Sequence, residues 1–256
     1  MSEAYAFFAK HYDRFMEEAP YEAWVDWIGE TLQSLDCYEG PSLKILDLGC
    51  GTGNIAIPLA VSGHHVVGTD LSEPMVKIAE EKSSRLDADI QRRLKWRVQH
   101  MAHPNPPEEV YDAVICCCDS LNYLTDQQEV KNVFRHVRAT LHNGGLFLFD
   151  VHTPQQLQNY FAEQPYIWND PDVAYIWTCD WANSETIVHE LVLFAENGQG
   201  TFERIEEKHH QRVYRMEWLK ETLREMQLEP VQITSDFSPF APMDESRRMF
   251  FVCVAI

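Results

Sequence analysis

The residues with the clearest chemical signature are Asp47 and three alternating glycines, Gly49, Gly51 and Gly53, which follow the short apolar segment 43–46. Glycine can adopt positive φ and has no Cβ, so a ligand can approach its backbone closely. The apolar spacing after Gly53 predicts a helix, whose first N–H groups would face the same ligand. Because the spacing is G-x-G-x-G and not the dinucleotide pattern G-x-G-x-x-G, a different cofactor is indicated. A purely structural turn is the alternative.

A second acidic residue, Asp70, ends the predicted strand 65–70. A carboxylate at the tip of the second strand can accept hydrogen bonds from both hydroxyls of a ribose, as in Rossmann-like folds. An isolated Asp before a helix is more often an N-cap, which is the alternative here. The combination of loop, strand and acid favours the ribose role.

Polar residues that could line a reaction site follow two further predicted strands. Asp119, Asn122 and Tyr123 come after the buried segment 111–118, and His152 follows the strand after the Gly-Gly turn. Ligands of open α/β sheets bind at the carboxyl ends of the strands. A histidine placed there can act as a base near neutral pH. Capping or holding a loop is the alternative for each of these residues.

The elements that position these residues alternate between strand and helix up to about residue 153. From 166 to 214 the pattern is one of strands alone, which predicts an antiparallel insertion with Tyr175 and Trp177 on one strand face. Helical spacing returns over 216–228, and strands at 231–237 and 248–254 follow. We therefore expect one α/β core with a decoration.

The amino-acid composition disfavours several kinds of binding partner. The 256 residues contain 21 Lys and Arg against 40 Asp and Glu, a net charge of −19, which disfavours nucleic acid because phosphate contacts dominate such binding. No apolar segment approaches the roughly 20 residues of a membrane span, and we expect no signal peptide. The seven cysteines include no CxxC pair, which favours reduced thiols and a cytoplasmic protein. The paired histidines lack zinc-type spacing, so we expect no metal.

The strand–loop–helix, the acid at the second strand tip and the carboxyl-terminal strand pair resemble a class I S-adenosylmethionine (SAM)-dependent methyltransferase. The resemblance covers residues 38–153 and 216–256. It implies a Rossmann-like, seven-stranded sheet with an antiparallel β insertion after the fifth strand. The implied domains are 1–153 with 216–256, which bind SAM, and 154–215, the insertion; residues 1–37 form a helical cover.

The runs Cys118-Asp119-Ser120-Leu121-Asn122-Tyr123 and Phe149-Asp150-Val151-His152 look more narrowly like bacterial small-molecule methyltransferases related to sugar-amine N-methyltransferases. The resemblance implies attack by a nitrogen or oxygen of a small-molecule acceptor on the activated methyl group. Candidate catalytic residues are His152, Tyr12 and Asn122.

The resemblance also implies a SAM-binding set. In this family an amino-terminal Tyr-Asp segment folds over the cofactor. Aromatic rings can stabilise the positive charge of a sulfonium. For each aromatic ring of this segment, the alternative is that it only caps the core. At 100–101 the chain departs from the family's acid, and His100 and Met101 would contact the adenine instead. The implied set is Tyr12, Tyr21, Asp47, Gly49, Cys50, Gly51, Gly53, Asp70, Leu71, His100, Met101, Cys118, Asp119 and Tyr123.

Two other functions fit parts of the pattern. A nicotinamide dehydrogenase also has an acidic residue at the end of its second strand, but its glycines follow the pattern G-x-G-x-x-G. A non-catalytic SAM-binding or partner-binding protein would share the whole fold. The aromatic face of the insertion, with Tyr175 and Trp177, predicts either an acceptor pocket or a homodimer contact.

Overall fold

The computed structural model describes residues 3–34, 42–105, 109–238, 240 and 245–256. The predicted boundary at residues 37–38 lies outside them. The helices are α1 (Glu3–Phe15), α2 (Tyr21–Ser34), α3 (Ala56–Val61), α4 (Glu73–Ser83), α5 (Ala88–Gln91), α6 (Gln127–Thr140), α7 (Pro154–Glu163) and α8 (Met216–Glu225), with a 3-10 helix at Ser120–Tyr123. The strands are β1 (Lys44–Leu48), β2 (His65–Asp70), β3 (Leu94–Val98), β4 (Tyr111–Cys116), β5 (Leu141–His152), β6 (Tyr166–Asn169), β7 (Val173–Asn183), β8 (Thr186–Glu196), β9 (Phe202–Arg212), β10 (Leu228–Ser235) and β11 (Arg248–Ala255).

A seven-stranded sheet forms the centre of the fold and confirms the predicted fold class. Its strand order is β10-β11-β5-β4-β1-β2-β3. Strands β1 to β5 pair in parallel, whereas β11 is antiparallel to both β5 and β10. The strand order reverses between β1 and β4, so a crevice opens beyond their carboxyl ends.

Both faces of this sheet are covered by helices. Alternate residues of β1 pack on opposite sides: Leu46 joins a core cluster with side chains of α6 and α8, and Ile45 joins a cluster with side chains of α2 and α3. In a strand that is buried on both faces, every side chain faces the core, so apolar residues no longer alternate with polar ones. This explains the nearly continuous apolar sequence of these strands.

A separate antiparallel sheet, β6-β7-β8-β9, follows β5 as predicted. The segment before it, which the sequence pattern leaves unassigned, forms α7. Pro154 begins this helix, and the Thr153 hydroxyl caps it by accepting from the backbone N–H of Gln156. Leu157 of α7 packs on Cys179 and Ile187 of the second sheet, so the helix joins the two sheets.

No helix among the described residues combines the length and the apolar character needed to cross a membrane.

Candidate active site

A cavity of about 500 Å³ lies between the carboxyl ends of the central strands and the inner face of the second sheet, beneath α1. This volume is within the usual range for small-molecule sites. Most of the site residues expected from the sequence line it: Tyr12, Tyr21, Asp47, Gly49, Cys50, Gly51, Asp70, Leu71, His100, Met101, Cys118, Asp119 and Tyr123.

The glycine loop is held against the end of β2. Backbone N–H groups of Gly49 and Cys50 donate to the carbonyl of Thr69 at 2.8 and 3.0 Å. The N–H of Gly51 donates to Oδ2 of Asp70 at 2.9 Å. Gly51 has φ +53°, and a Cβ built on it would meet no protein atom within 4 Å. The loop therefore leaves open space at the cavity wall in the place where a side chain would stand.

Two carboxylates flank this loop. Asp70 also accepts from the N–H of Ser72, the N-cap residue of α4, at 2.8 Å, so it holds the turn before this helix while lining the cavity. Asp47 is buried, and its Oδ2 has no hydrogen-bond partner among the described residues. Burial, with the nearby charge of Asp70, raises the pKa of Asp47 to about 7. A buried carboxyl oxygen without a partner is costly, so a cationic or hydrogen-bonding ligand would fit this position.

Three expected site residues do not line the cavity. A Cβ at Gly53 would lie 2.7 Å from the ring of Trp96, so this glycine permits close packing. The amide of Asn122 donates to the carbonyl of Arg212 at 2.7 Å and accepts from the N–H of His152 at 3.0 Å. His152 is buried, which lowers its pKa to about 3, and its Nε2 lies 3.5 Å from Oδ1 of Asp119. It is therefore separated from the cavity by Asp119.

Helix α1 covers the cavity and is attached on two sides. Asp13 forms an ion pair with Lys82 of α4 at 2.8 Å and accepts from Thr52 at 2.5 Å. Arg14 binds Asp170 at 2.6 Å and Asp172 at 2.9 Å, both at the edge of the second sheet.

Tyr12 and Tyr21 face each other inside the cavity. Their hydroxyl oxygens lie 3.2 Å apart. Burial raises the pKa of Tyr12 well above 10 and that of Tyr21 to about 12. Both phenols are therefore protonated at neutral pH, and they add no charge beside a cation.

A buried ion network that the sequence pattern did not reveal lies at the end of β4. Arg248 donates to Asp119 at 2.7 Å and to Asp150 at 2.6 Å, and its guanidinium lies 5.0 Å from the ring centroid of Trp24. Asp150 also accepts from Trp24 Nε1 and from the N–H of Cys118, both at 2.8 Å. Burial raises the pKa of Asp119, but Arg248 and other neighbours outweigh it and hold that pKa below its usual range.

The predicted strand 111–118 ends early because of this network. Cys118 and Asp119 have φ values of +56° and +51°, which are left-handed and incompatible with a strand. The observed β4 ends at Cys116. The turn aims two successive N–H groups at the carboxylate of Asp150.

A series of hydrogen bonds leads from the second sheet to Asp119, and the sequence pattern did not predict it. Trp177 Nε1 donates to Nδ1 of His189 at 3.1 Å, and Nε2 of His189 lies 3.1 Å from Oε1 of Gln211. The amide nitrogen of Gln211 donates to Oδ2 of Asp119 at 2.6 Å. His189 must therefore carry its proton on Nε2. The only sequence signal is the alternation of His209 and Gln211 in β9, which places both on the inner face.

His100 and Met101 lie on the cavity wall after β3. Nδ1 of His100 accepts from the backbone N–H of Ala102 at 3.1 Å. Leu71, which also lines the cavity, is 58% exposed. This end of the cavity is consequently more open than the end near Asp119, whose side chain is only 15% exposed.

Comparison with known proteins supports the resemblance to methyltransferases. A sequence family described as a methyltransferase domain matches residues 45–145. A protein of Geobacillus sp. (strain WCH70) that bears the name methyltransferase is 36% identical over 97% of this chain and 98% of its own length. An S-adenosylmethionine-dependent methyltransferase from Clostridium acetobutylicum has a TM-score of 0.82 at 26% identity, over 98% of both chains.

A more distant structure shares the fold. The sugar N-methyltransferase KedS8 from Streptoalloteichus sp. has a TM-score of 0.72 at 19% identity and covers 95% of this chain and 92% of its own. A SAM molecule fits the open glycine loop, Asp70 at the tip of β2, and the Oδ2 atom of Asp47, which has no hydrogen-bond partner among the described residues. Since the full-length relative matches at 36% identity, the chain belongs to the SAM-dependent methyltransferases.

Proposed function

We propose that this enzyme transfers the methyl group of SAM to a nitrogen of a small-molecule acceptor. The observation that carries the proposal is the continuity of one cavity, which the glycine loop lines on one side and Tyr175, Trp177 and Gln211 of the second sheet line on the other. A volume of about 500 Å³ has to hold both SAM and the acceptor, so the acceptor is small.

The chain's residues divide the work of holding SAM. Asp70 would accept from the ribose hydroxyls, and His100 with Met101 would contact the adenine. The buried Asp47 would bind the ammonium group, and the neutral Tyr12 and Tyr21 would lie beside the sulfonium. When bound, SAM supplies an activated methyl group. The protein would then contribute mainly proximity and exclusion of water, which in well-oriented cases lower the barrier by about 7–11 kcal/mol.

The electrostatics of the cavity favour nitrogen over oxygen as the acceptor atom. An alcohol is a weak nucleophile unless a base removes its proton as it attacks, whereas a neutral amine attacks without a base and releases its proton to water after the methyl group has moved. Burial lowers the pKa of His209, on the cavity wall, to about 4, and that of His152, behind Asp119 and outside the cavity, to about 3. Both rings are neutral at pH 7 but weakly basic. The environment therefore suits an acceptor that enters as a neutral amine.

A methyl-release assay with labelled SAM, run across small amines, alcohols and phenols, tests the proposal. We expect turnover with amines and rates near background with alcohols. Turnover with phenols alone would overturn the choice of nitrogen. SAM binding without turnover on any class of acceptor would favour the non-catalytic alternative.

Replacement of Trp177 by alanine should separate the two sides of the cavity. The indole belongs to the second sheet and touches Tyr160, Tyr166 and His189. We expect SAM affinity to change by less than about threefold, or roughly 0.7 kcal/mol, while methyl transfer falls steeply. Isothermal calorimetry and the methyl-release assay measure the two quantities.

Trp181→Ala is the matched control, because Trp181 is on the same strand but does not line the cavity. It should leave both quantities near their wild-type values. Sedimentation addresses the homodimer: a Trp177→Ala protein that becomes monomeric, while wild-type monomers retain full turnover, would assign this face to a subunit contact.

The pKa of Asp47 predicts how SAM binding depends on pH. A carboxyl group with a folded-state pKa of about 7 is largely protonated at pH 6, and it must ionise to bind a cation. Affinity for SAM should therefore rise about tenfold from pH 6 to pH 8. In Asp47→Asn the affinity should be lower and this rise should disappear. An equal rise in both proteins would remove Asp47 from the ammonium role.

A further inference from the structure

A group of metal-ligating side chains lies at the edge of the cavity, where the loop after β3 meets the start of α6. One of them, His100, is also a residue proposed above to contact the adenine. His100, His103 and Glu129 each place one ligand atom so that all three atoms lie within 4.8 Å of one another. For these three residues the described part of the chain offers no ion pair other than the one between His103 and Glu129. No ion pair with another described residue therefore accounts for the close approach of these three side chains.

The distances suit a small transition-metal ion. Zinc binds imidazole nitrogen at about 2.0–2.1 Å and carboxylate oxygen at about 2.0–2.2 Å, so two ligands of a tetrahedral site lie about 3.3 Å apart. Nε2 of His103 and Oε1 of Glu129 are 3.5 Å apart. The His103 side chain is 61% exposed. It can therefore rotate to close the remaining gap without disturbing the core.

One local bond has to change. Nδ1 of His100 accepts from the backbone N–H of Ala102, so either this electron pair goes to the metal or the ring proton moves to Nδ1 when Nε2 binds. In both cases one partly buried hydrogen bond is exchanged, and the net contribution of a typical hydrogen bond to stability is modest.

We propose that His100, His103 and Glu129 bind one Zn²⁺, with water completing the coordination. Two imidazoles and one carboxylate favour zinc over calcium or magnesium, which take oxygen ligands. The two histidines come from the loop after β3, and Glu129 comes from the first turn of α6. A bound ion would tie this loop to α6 beside the cavity wall. The zinc site does not depend on the identity of the methyl acceptor, and it departs from the expectation of no metal that the histidine spacing favoured.

Zinc competition against a chromophoric chelator, with protein first freed of metal, tests the site. Wild-type protein should bind one equivalent, and Glu129→Gln and His103→Ala should each weaken binding at least about tenfold. His142→Ala is the matched control, because His142 pairs with a single carboxylate, that of Asp112. It should bind zinc as the wild type does. Equal affinity in wild type and both cluster variants would overturn the proposal.

Replacing zinc by cobalt distinguishes metal bound by the His100–His103–Glu129 cluster from metal bound by cysteine thiols. Six described cysteines are free, and Cys118 is partly exposed. Cobalt held by nitrogen and oxygen gives weak visible bands, whereas thiolate ligands add intense near-ultraviolet charge transfer. We expect only the weak bands, and these should vanish in Glu129→Gln. Strong charge transfer that survives in both cluster variants would assign the metal to cysteine and contradict the site.

Discussion

Replacing Gly51 by valine should reduce SAM affinity by more than about 100-fold, a loss of about 3 kcal/mol or more, while the protein stays folded. Gly51 lines the cavity, and a Cβ there would meet no protein atom within 4 Å. The Cβ of the added side chain therefore displaces no protein atom, and the isopropyl group stands in space that the cofactor needs. Calorimetry with SAM measures the loss, and circular dichroism reports the fold.

Gly198→Val controls for backbone strain. Gly198 has φ +78° and equally open surroundings, but it lies in the turn after β8, away from the cavity. A β-branched residue costs roughly 1–3 kcal/mol at such a φ in either position. Both variants should lose similar stability, and only Gly51→Val should lose SAM. If Gly51→Val is folded and binds SAM normally, the glycine loop is not the cofactor site.

Replacing Arg248 by methionine should lower the free energy of unfolding by about 3–5 kcal/mol, because it leaves buried carboxylates without their cation. The side chain of Asp150 is fully buried, and those of Asp119 and Arg248 are only 15% and 19% exposed. Urea denaturation followed by far-ultraviolet circular dichroism measures the change.

The adjacent Arg247→Met is the matched control. Arg247 and its partner Glu163 are 58% and 47% exposed, and such surface pairs contribute little. Its free energy of unfolding should stay within about 0.5 kcal/mol of wild type.

The pH dependence of Arg248→Met has a definite sign. The folded-state pKa of Asp119 is below its usual value, so its stabilising contribution is present above the unfolded-state pKa and is lost as the pH falls. The stability difference between wild type and Arg248→Met should therefore shrink as the pH falls below about 4, the unfolded-state pKa of an aspartate. It should close only below the folded-state pKa of Asp119. A constant difference from pH 7 to pH 3 would mean that lost packing, and not unpaired charge, destabilises the variant.

The parts of the site that depend on neighbouring residues could be predicted from the sequence. Asp70 ends β2 and precedes α4, and Gly51 lies 19 residues earlier, in the loop that joins β1 to α3. The local pattern therefore contains the information that places them together. The alternation of strand-length apolar segments with helical spacing predicts the α/β core in the same way. The seven strands of the sheet are expected from the resemblance to class I methyltransferases.

The parts that depend on long-range register could not be predicted. Arg248 reaches Asp150 because β11 lies antiparallel to β5, with Arg248 opposite His152. No local pattern gives this register. The same pairing buries His152, whose position at a strand end had suggested a cavity residue. A charged residue before a wholly apolar strand is the one signal that a buried partner was required.

The attachment of α1 has a kinetic consequence. Successive residues of an α-helix point about 100° apart, so Tyr12, Asp13 and Arg14 touch the cavity, the glycine-loop side and the second sheet within a single turn. Lifting α1 breaks the ion pairs of Asp13 and Arg14 together. Both sets are partly exposed, and salt screens exposed pairs. The residence time of a molecule beneath α1 is therefore tied to ionic strength, whatever its affinity for the walls.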